Sequence, residues 1–192
     1  MTLPGPGRRR IALALAWAAG GLAAGVPGRA QTDAPISLER KVKAAFLYKF
    51  LAYAEFPVGA LSEPGAPVVI GLVDADELAG ELTRIVSGRT VGNRLITVRV
   101  FRHQERAGGV HLLLVGGAHA GKVRCVLHAI APAPLLLVTQ AEDALRQGSV
   151  INFRIVDGRV RFDVSPAAAE KNNVKRSSRL LTVASQVHKG AP

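Results

Sequence analysis

Residues Val110–Gln140, VHLLLVGGAHAGKVRCVLHAIAPAPLLLVTQ, hold two short apolar runs separated by a glycine turn and a helical pattern. VHLLLV and PLLLVTQ (Pro134–Gln140) are of strand length and almost continuously apolar, as strands buried on both faces are. The intervening GKVRCVLHAIA has the length of a crossover helix. Strand, helix and strand in that order make a parallel pair, because a tight turn cannot join parallel neighbours. Upstream the alternation repeats: PVVIGLV (Pro67–Val73) reads as a strand, DADELAGELTRIV as a helix entered through Asp74 or Asp76, and RLITVRVF (Arg94–Phe101) as a strand. Such alternation argues for a parallel sheet with helices on both faces.

Both ends of the chain add to this unit. Ser37 is placed to cap a helix through LERKVKAAFLYKFLAYAEF, with Leu38, Val42, Ala45, Phe46 and Tyr53 at helical spacing and Pro57 ending it. On the other side, VINFRIV and RVRFDV flank Asp157-Gly158, a strong hairpin signal. Phe153 and Phe162 alternate there with Arg154 and Arg161, as strands with one wet face require. SPAAAEKN then starts a helix with Pro166 in its first position, and SSRLLTVASQV closes the chain with Leu180, Leu181, Ala184 and Val187 on one side. The fold class is α/β: a mixed, mostly parallel sheet flanked by helices on both faces, with a C-terminal antiparallel hairpin and a closing helix. Leu61–Ala66, containing Pro64 and Gly65, is a loop rather than a domain boundary.

The first 30 residues read differently. Arg8, Arg9 and Arg10 precede the uncharged run Ile11–Val26, and Gly28-Arg29-Ala30 offers small residues where a signal peptidase reads. A membrane-spanning helix needs about 20 apolar residues, so length and flanks favour a cleaved signal peptide, residues 1–30, over an anchor. The working chain is then residues 31–192, one domain in the periplasm, with nothing beyond Val26 long and apolar enough to span a bilayer. The whole chain carries +11; four of its 25 basic residues precede Gln31 and all 14 acidic ones follow it, leaving +7. Arg84, Arg89, Arg94, Arg99, Arg102 and Arg106 are spread through turns and a strand rather than gathered on one helix face. This pattern suits a solvated basic surface, or failing that an acidic partner or anionic lipid headgroups, better than nucleic acid.

Catalytic motifs are incomplete. Gly116–Val123 satisfies G-x-x-x-x-G-K but has Val123 where a nucleotide-binding loop needs a hydroxyl for Mg²⁺, so the segment reads as an ordinary strand-to-helix turn. The five histidines have no metal-ligand spacing or cysteine companions, and no G-x-S-x-G elbow occurs. Asp74 and Asp76 follow the first strand, where a metal is conceivable, but helix capping explains them more simply. Cys125 is the only cysteine and reads as a small packing residue on the crossover helix, the alternative being a link to another chain. No cofactor or metal is implied.

Two segments, KVKAAFLYKFLAYAEFP and INFRIVDGRVRFDVSPAAAEKNNVKRSSRLL, resemble the opening and closing signatures of the YfiR/HmsC-like periplasmic proteins. The matching positions are Lys43, Ala44, Leu47, Phe50 and Pro57, then Ile151, Asn152, Phe153, Arg161, Phe162, Ser177, Ser178, Leu180 and Leu181. Phe56 replaces the tryptophan usual before Pro57, and the paired cysteines by which some relatives sense redox state are absent. The resemblance implies a non-enzymatic regulator. Such a protein binds the periplasmic sensor domain of an inner-membrane diguanylate cyclase and represses it, lowering cyclic-di-GMP and biofilm formation; another membrane receptor is the alternative partner, and a homodimer is among the arrangements it implies. A periplasmic small-ligand-binding module using the strand ends near Asp74 and Gly117 is the alternative. An exported metal-dependent hydrolase is the third, and it needs Asp74 and Asp76 as ligands. Helical register spreads Lys171, Lys175, Arg176 and Arg179 over the exposed side of the closing elements, as a candidate partner-binding set that also reads as a solvated face.

Overall fold

The computed structural model describes residues 30–188 except 58, 62, 64, 103–106, 118–123 and 127–133, with no side chains for 30–34. Residues 1–29 of the expected signal peptide, Lys122 and most of the expected crossover helix therefore lie outside the described residues. Helix α1 (Ala30–Tyr53) leads into β1 (Ala54–Glu55) and β2 (Val68–Val73), and a 3₁₀ turn (Asp76–Leu78) opens α2 (Ala79–Val86). There follow β3 (Thr90–Val91), β4 (Arg94–Phe101), β5 (Leu112–Val115) and β6 (Leu136–Thr139), with Arg124–Val126 helical between the last two. After a second 3₁₀ turn (Ala144–Gln147) come β7 (Ile151–Val156), β8 (Arg159–Val164), α3 (Pro166–Lys171), β9 (Lys175–Arg176), α4 (Ser178–Val183) and β10 (Gln186–Val187).

The main sheet runs β10-β8-β7-β6-β5-β2-β4-β3. Its five central strands, β4-β2-β5-β6-β7, are all parallel; β2 leads outward to β4 on one side and β5 leads through β6 to β7 on the other, so the strand order reverses between β2 and β5. The alternation read from Val110–Gln140 thus yields a doubly wound arrangement. Period-two side chains divide the core. Ile70, Leu72, Leu112, Leu114, Leu136 and Val138 face α1 and α2, whereas Val73, Leu113, Val115, Leu135 and Leu137 face Val126, Ala141 and Ala144 on the opposite side. Fully burying one such side chain contributes about 1.5–3 kcal/mol, and this sheet buries them on both faces. Asp157 and Gly158, at φ 50° and 68°, make the two-residue turn between the antiparallel strands β7 and β8. Ser165 caps α3 by accepting from the Ala168 N–H at 3.2 Å, with Pro166 in the first helical position.

Six expectations change. Ser37 lies inside α1, not at its start, and Pro35 is tolerated because its missing N–H removes a single bond near the helix's open end. The helix stops at Tyr53, before Pro57, since Ala54 and Glu55 pair with Arg176 and Lys175. Its inward face is Ala44, Leu47, Phe50 and Leu51, about one residue round from the predicted stripe, leaving Leu38 63% exposed. Neither Asp74 nor Asp76 caps a helix: Ala75 holds the cap position of the 3₁₀ turn and Leu78 that of α2, both without a side-chain cap bond. The closing helix ends at Val183; Ala184 is extended and Val187 pairs with Val164 as a strand, because one more strand satisfies the outer edge of β8. Cys125 is also exposed, the helix phase turning Val126 inward instead.

Candidate functional site

Past the C-terminal end of β6, alongside residues 152–155 of β7, lies an open cleft of about 850 Å³. Lys43, Gln140, Asn152, Phe153, Arg154 and Asp163 line it, with the Glu142–Arg146 segment, Gly117, Gln186 and His188 around them. Crevices beyond the carboxyl ends of parallel strands are where open α/β sheets take ligands.

Lys43 reaches this place because α1 packs its inward stripe on the hairpin, and Lys43 extends that stripe by one residue. The side chain is buried, so its ammonium needs partners. It has Glu39 one turn earlier at 2.6 Å, and it donates to Gln140 Oε1 at 2.7 Å. The same Nζ stands 6.0 Å from the centre of the Phe153 ring. Helix and hairpin meet through aromatic contacts: Phe50 lies 4.7 Å from Phe162, edge-on, and 5.6 Å from Phe153.

A buried polar chain continues from β6. The Thr139 hydroxyl donates to Asn152 Oδ1 at 2.7 Å and lies 2.8 Å from Ser149 Oγ. With the threonine proton so committed, Ser149 directs its own to Thr139 or to the Ile151 carbonyl at 2.8 Å. Asn152 is thereby fixed at the cleft wall. Opposite it on β8, Asp163 is buried and accepts from Arg154 Nη2 at 3.0 Å, with Nε of the same guanidinium in ionic contact at 2.7 Å. His188 Nε2 stands 3.6 Å from the same carboxylate. Every buried charge in the cleft has a counter-charge, which makes the site a preorganised polar surface.

The motif residues of the two signature segments are brought together. Ala44, Leu47, Phe50, Ile151, Phe153, Phe162 and Leu180 are core, and Lys43, Asn152 and Phe153 reach the cleft. Ser177 caps α4, Ser178 and Arg161 are exposed, and Leu181 and Pro57 are half-buried. Gln140, Arg154, Asp163 and His188 were not singled out by motif; the position of Gln140 just past a strand end is the signal that points to it. Asp74 does not line the cleft, and Gly116 bonds to the Val73 carbonyl so closely under Asp74 that a Cβ there would overlap the Asp74 carbonyl. The end of β2 is closed against Gly116, whereas Gly117, just past β5, reaches the cleft, which opens mainly farther along the sheet. Among the described residues no three His, Cys, Asp or Glu side chains converge as metal ligands.

Lys171, Lys175 and Arg179 are exposed, and Arg176 is half-buried at 3.6 Å from Glu170. Lys175 and Arg176 sit on β9 rather than on a helix, beside segments that bond to the starts of β6 and β7. The basic set and the cleft therefore occupy opposite ends of the parallel strands. No helix among the described residues is long and apolar enough to cross a membrane. No curated protein matches the chain. The profile of the YfiR/HmsC-like family matches residues 40–185, from the middle of α1 to the start of β10, and the chain belongs to the YfiR/HmsC-like family.

Proposed function

We propose that this protein is a non-enzymatic periplasmic regulator that binds the periplasmic sensor domain of an inner-membrane diguanylate cyclase and holds it inactive, keeping cyclic-di-GMP and biofilm formation low. The observation that carries the reading is family membership over residues 40–185, supported by motif positions Lys43, Asn152 and Phe153 converging on one cleft. A binding protein biases a two-state receptor only through its different affinity for the two states, so a preorganised surface is sufficient and no reaction is needed. Lys171, Lys175, Arg176 and Arg179 are the proposed contact set for an acidic partner surface. Capture from membrane extracts on the immobilised exported chain, followed by mass spectrometry, tests the reading. A membrane cyclase should be retained, and retained at least tenfold less by Lys175→Glu/Arg176→Glu or at high salt. Recovery of no cyclase would overturn it.

The cleft favours a second reading, a small-ligand-binding module, since its volume suits a small organic molecule and its polar groups are fixed in place. Thermal stabilisation by a ligand panel, lost on Asn152→Ala, would support it.

A further inference from the structure

The sheet ends differently on its two sides. One outer strand is β10, only two residues long. On the other side β3 covers only Arg94 and Leu95 of β4, while β2 pairs with Ile96–Phe101 from within. Among the described residues no strand lies outside Ile96–Phe101. The β3–β4 turn fixes which backbone groups look outward. Gly92 and Asn93 both have positive φ, 56° and 62°, the type I′ geometry of a two-residue hairpin. Val91 and Arg94 are then the bonded closing pair, and Arg94 turns its N–H and C=O away from β2. By strand alternation Ile96, Val98 and Val100 do the same.

Natural edges are blunted by shortness, proline, a bulge or charged side chains; this one runs six residues in unbroken register with no proline, and the charge it carries is the exposed Arg99. Ile96 and Val98 pack toward the helices, with Val100, 46% exposed, on the same face. The other face presents exposed Thr97 and Arg99, the latter stacked on Phe101 at 4.8 Å. Arg94 is committed to the Leu61, Glu63 and Ala66 carbonyls, whereas Arg99 is an exposed cation in a chain whose net charge is +11. Charge thus selects an acidic occupant over a second copy of the chain.

We propose that the outer edge of β4 receives an extended acidic segment of a partner protein by strand addition. The backbone of Ile96, Val98 and Val100 supplies the ladder; an acidic side chain on the segment faces Arg99, and small apolar ones lie beside Val98 and Val100. The site is separate from the cleft and independent of the partner's identity. The probe is a capped six-residue peptide alternating valine and aspartate, titrated into the exported chain by amide NMR, with a valine–lysine peptide as control. Before addition, the amides of Ile96, Val98 and Val100 exchange at least 100-fold faster than those of Thr97, Arg99 and Phe101, and the probe slows them. The lysine control binds at least tenfold more weakly. Val98→Pro removes an outward N–H but no bond to β2, and it weakens the probe at least tenfold. Arg99→Glu leaves the backbone unaltered, does the same, and serves if the proline variant does not fold. Amides already protected, equal binding of the two peptides, shifts confined to another surface, or self-association abolished by Val98→Pro would each overturn the proposal.

Discussion

His111 is held through both ring nitrogens. Its Nδ1 accepts from the Val69 N–H at 3.0 Å, and the ring bonds to the Ala60 backbone carbonyl, with Phe56 edge-on at 5.6 Å. Only the neutral tautomer can accept at Nδ1. Burial, with a smaller push from the Arg94 guanidinium, accordingly lowers its pKa from 6.5, although the Ala60 bond opposes the shift. A histidine lowered in the folded state binds fewer protons than in the unfolded chain, so its stabilisation is full above 6.5 and is lost as pH falls through the folded value. Thermal unfolding at pH 7.5 and 5.0 should show a loss on acidification that is smaller in His111→Phe. That variant should also be about 2 kcal/mol less stable at pH 7.5, having left the Val69 N–H and Ala60 carbonyl unpaired. Lys43 makes a contrasting case. Lys43→Met replaces a buried cation with an apolar chain of like size and should change stability by less than about 1 kcal/mol. Lys43→Glu sets a like charge against Glu39 and should cost about 3 kcal/mol or more in denaturant titration.

At the scale of elements, the parallel sheet depends on one close approach. A Cβ on Gly71 would stand 2.7 Å from Leu113 Cδ1 and 3.1 Å from Phe101 Cε2, so Gly71→Ala should destabilise by about 1–3 kcal/mol in urea titration. Strand positions were legible because continuous apolar runs between turns have few alternatives: β2, β4, β5, β6 and the hairpin fall within the segments read for them. The face of α1 was misread by about one residue, since its apolar residues nearly encircle it and periodicity alone leaves the buried stripe undecided. Motif positions Ala44, Leu47 and Phe50 mark that stripe correctly. The strand β10 had no local signal, because pairing of Val187 with Val164 is a tertiary event that overrides helix-compatible residues. For the cleft, Lys43 and Asn152 were visible as motif residues. Their partners Gln140, Asp163 and Arg154 come from other elements, and only topology brings them together.

The whole molecule is a basic α/β domain with an open cleft at one end of its strands and a basic set at the other. The reading as a regulator acting from outside the inner membrane requires export, so intact-mass measurement of the periplasmic fraction should find a chain beginning at or near Gln31. The measurement that tests the account most directly is cellular cyclic-di-GMP in a strain lacking this protein, with every membrane cyclase of the host expressed. Deletion should raise it, the exported form should restore it, and a version lacking residues 1–30 should not. Unchanged cyclic-di-GMP on deletion would contradict the regulator account.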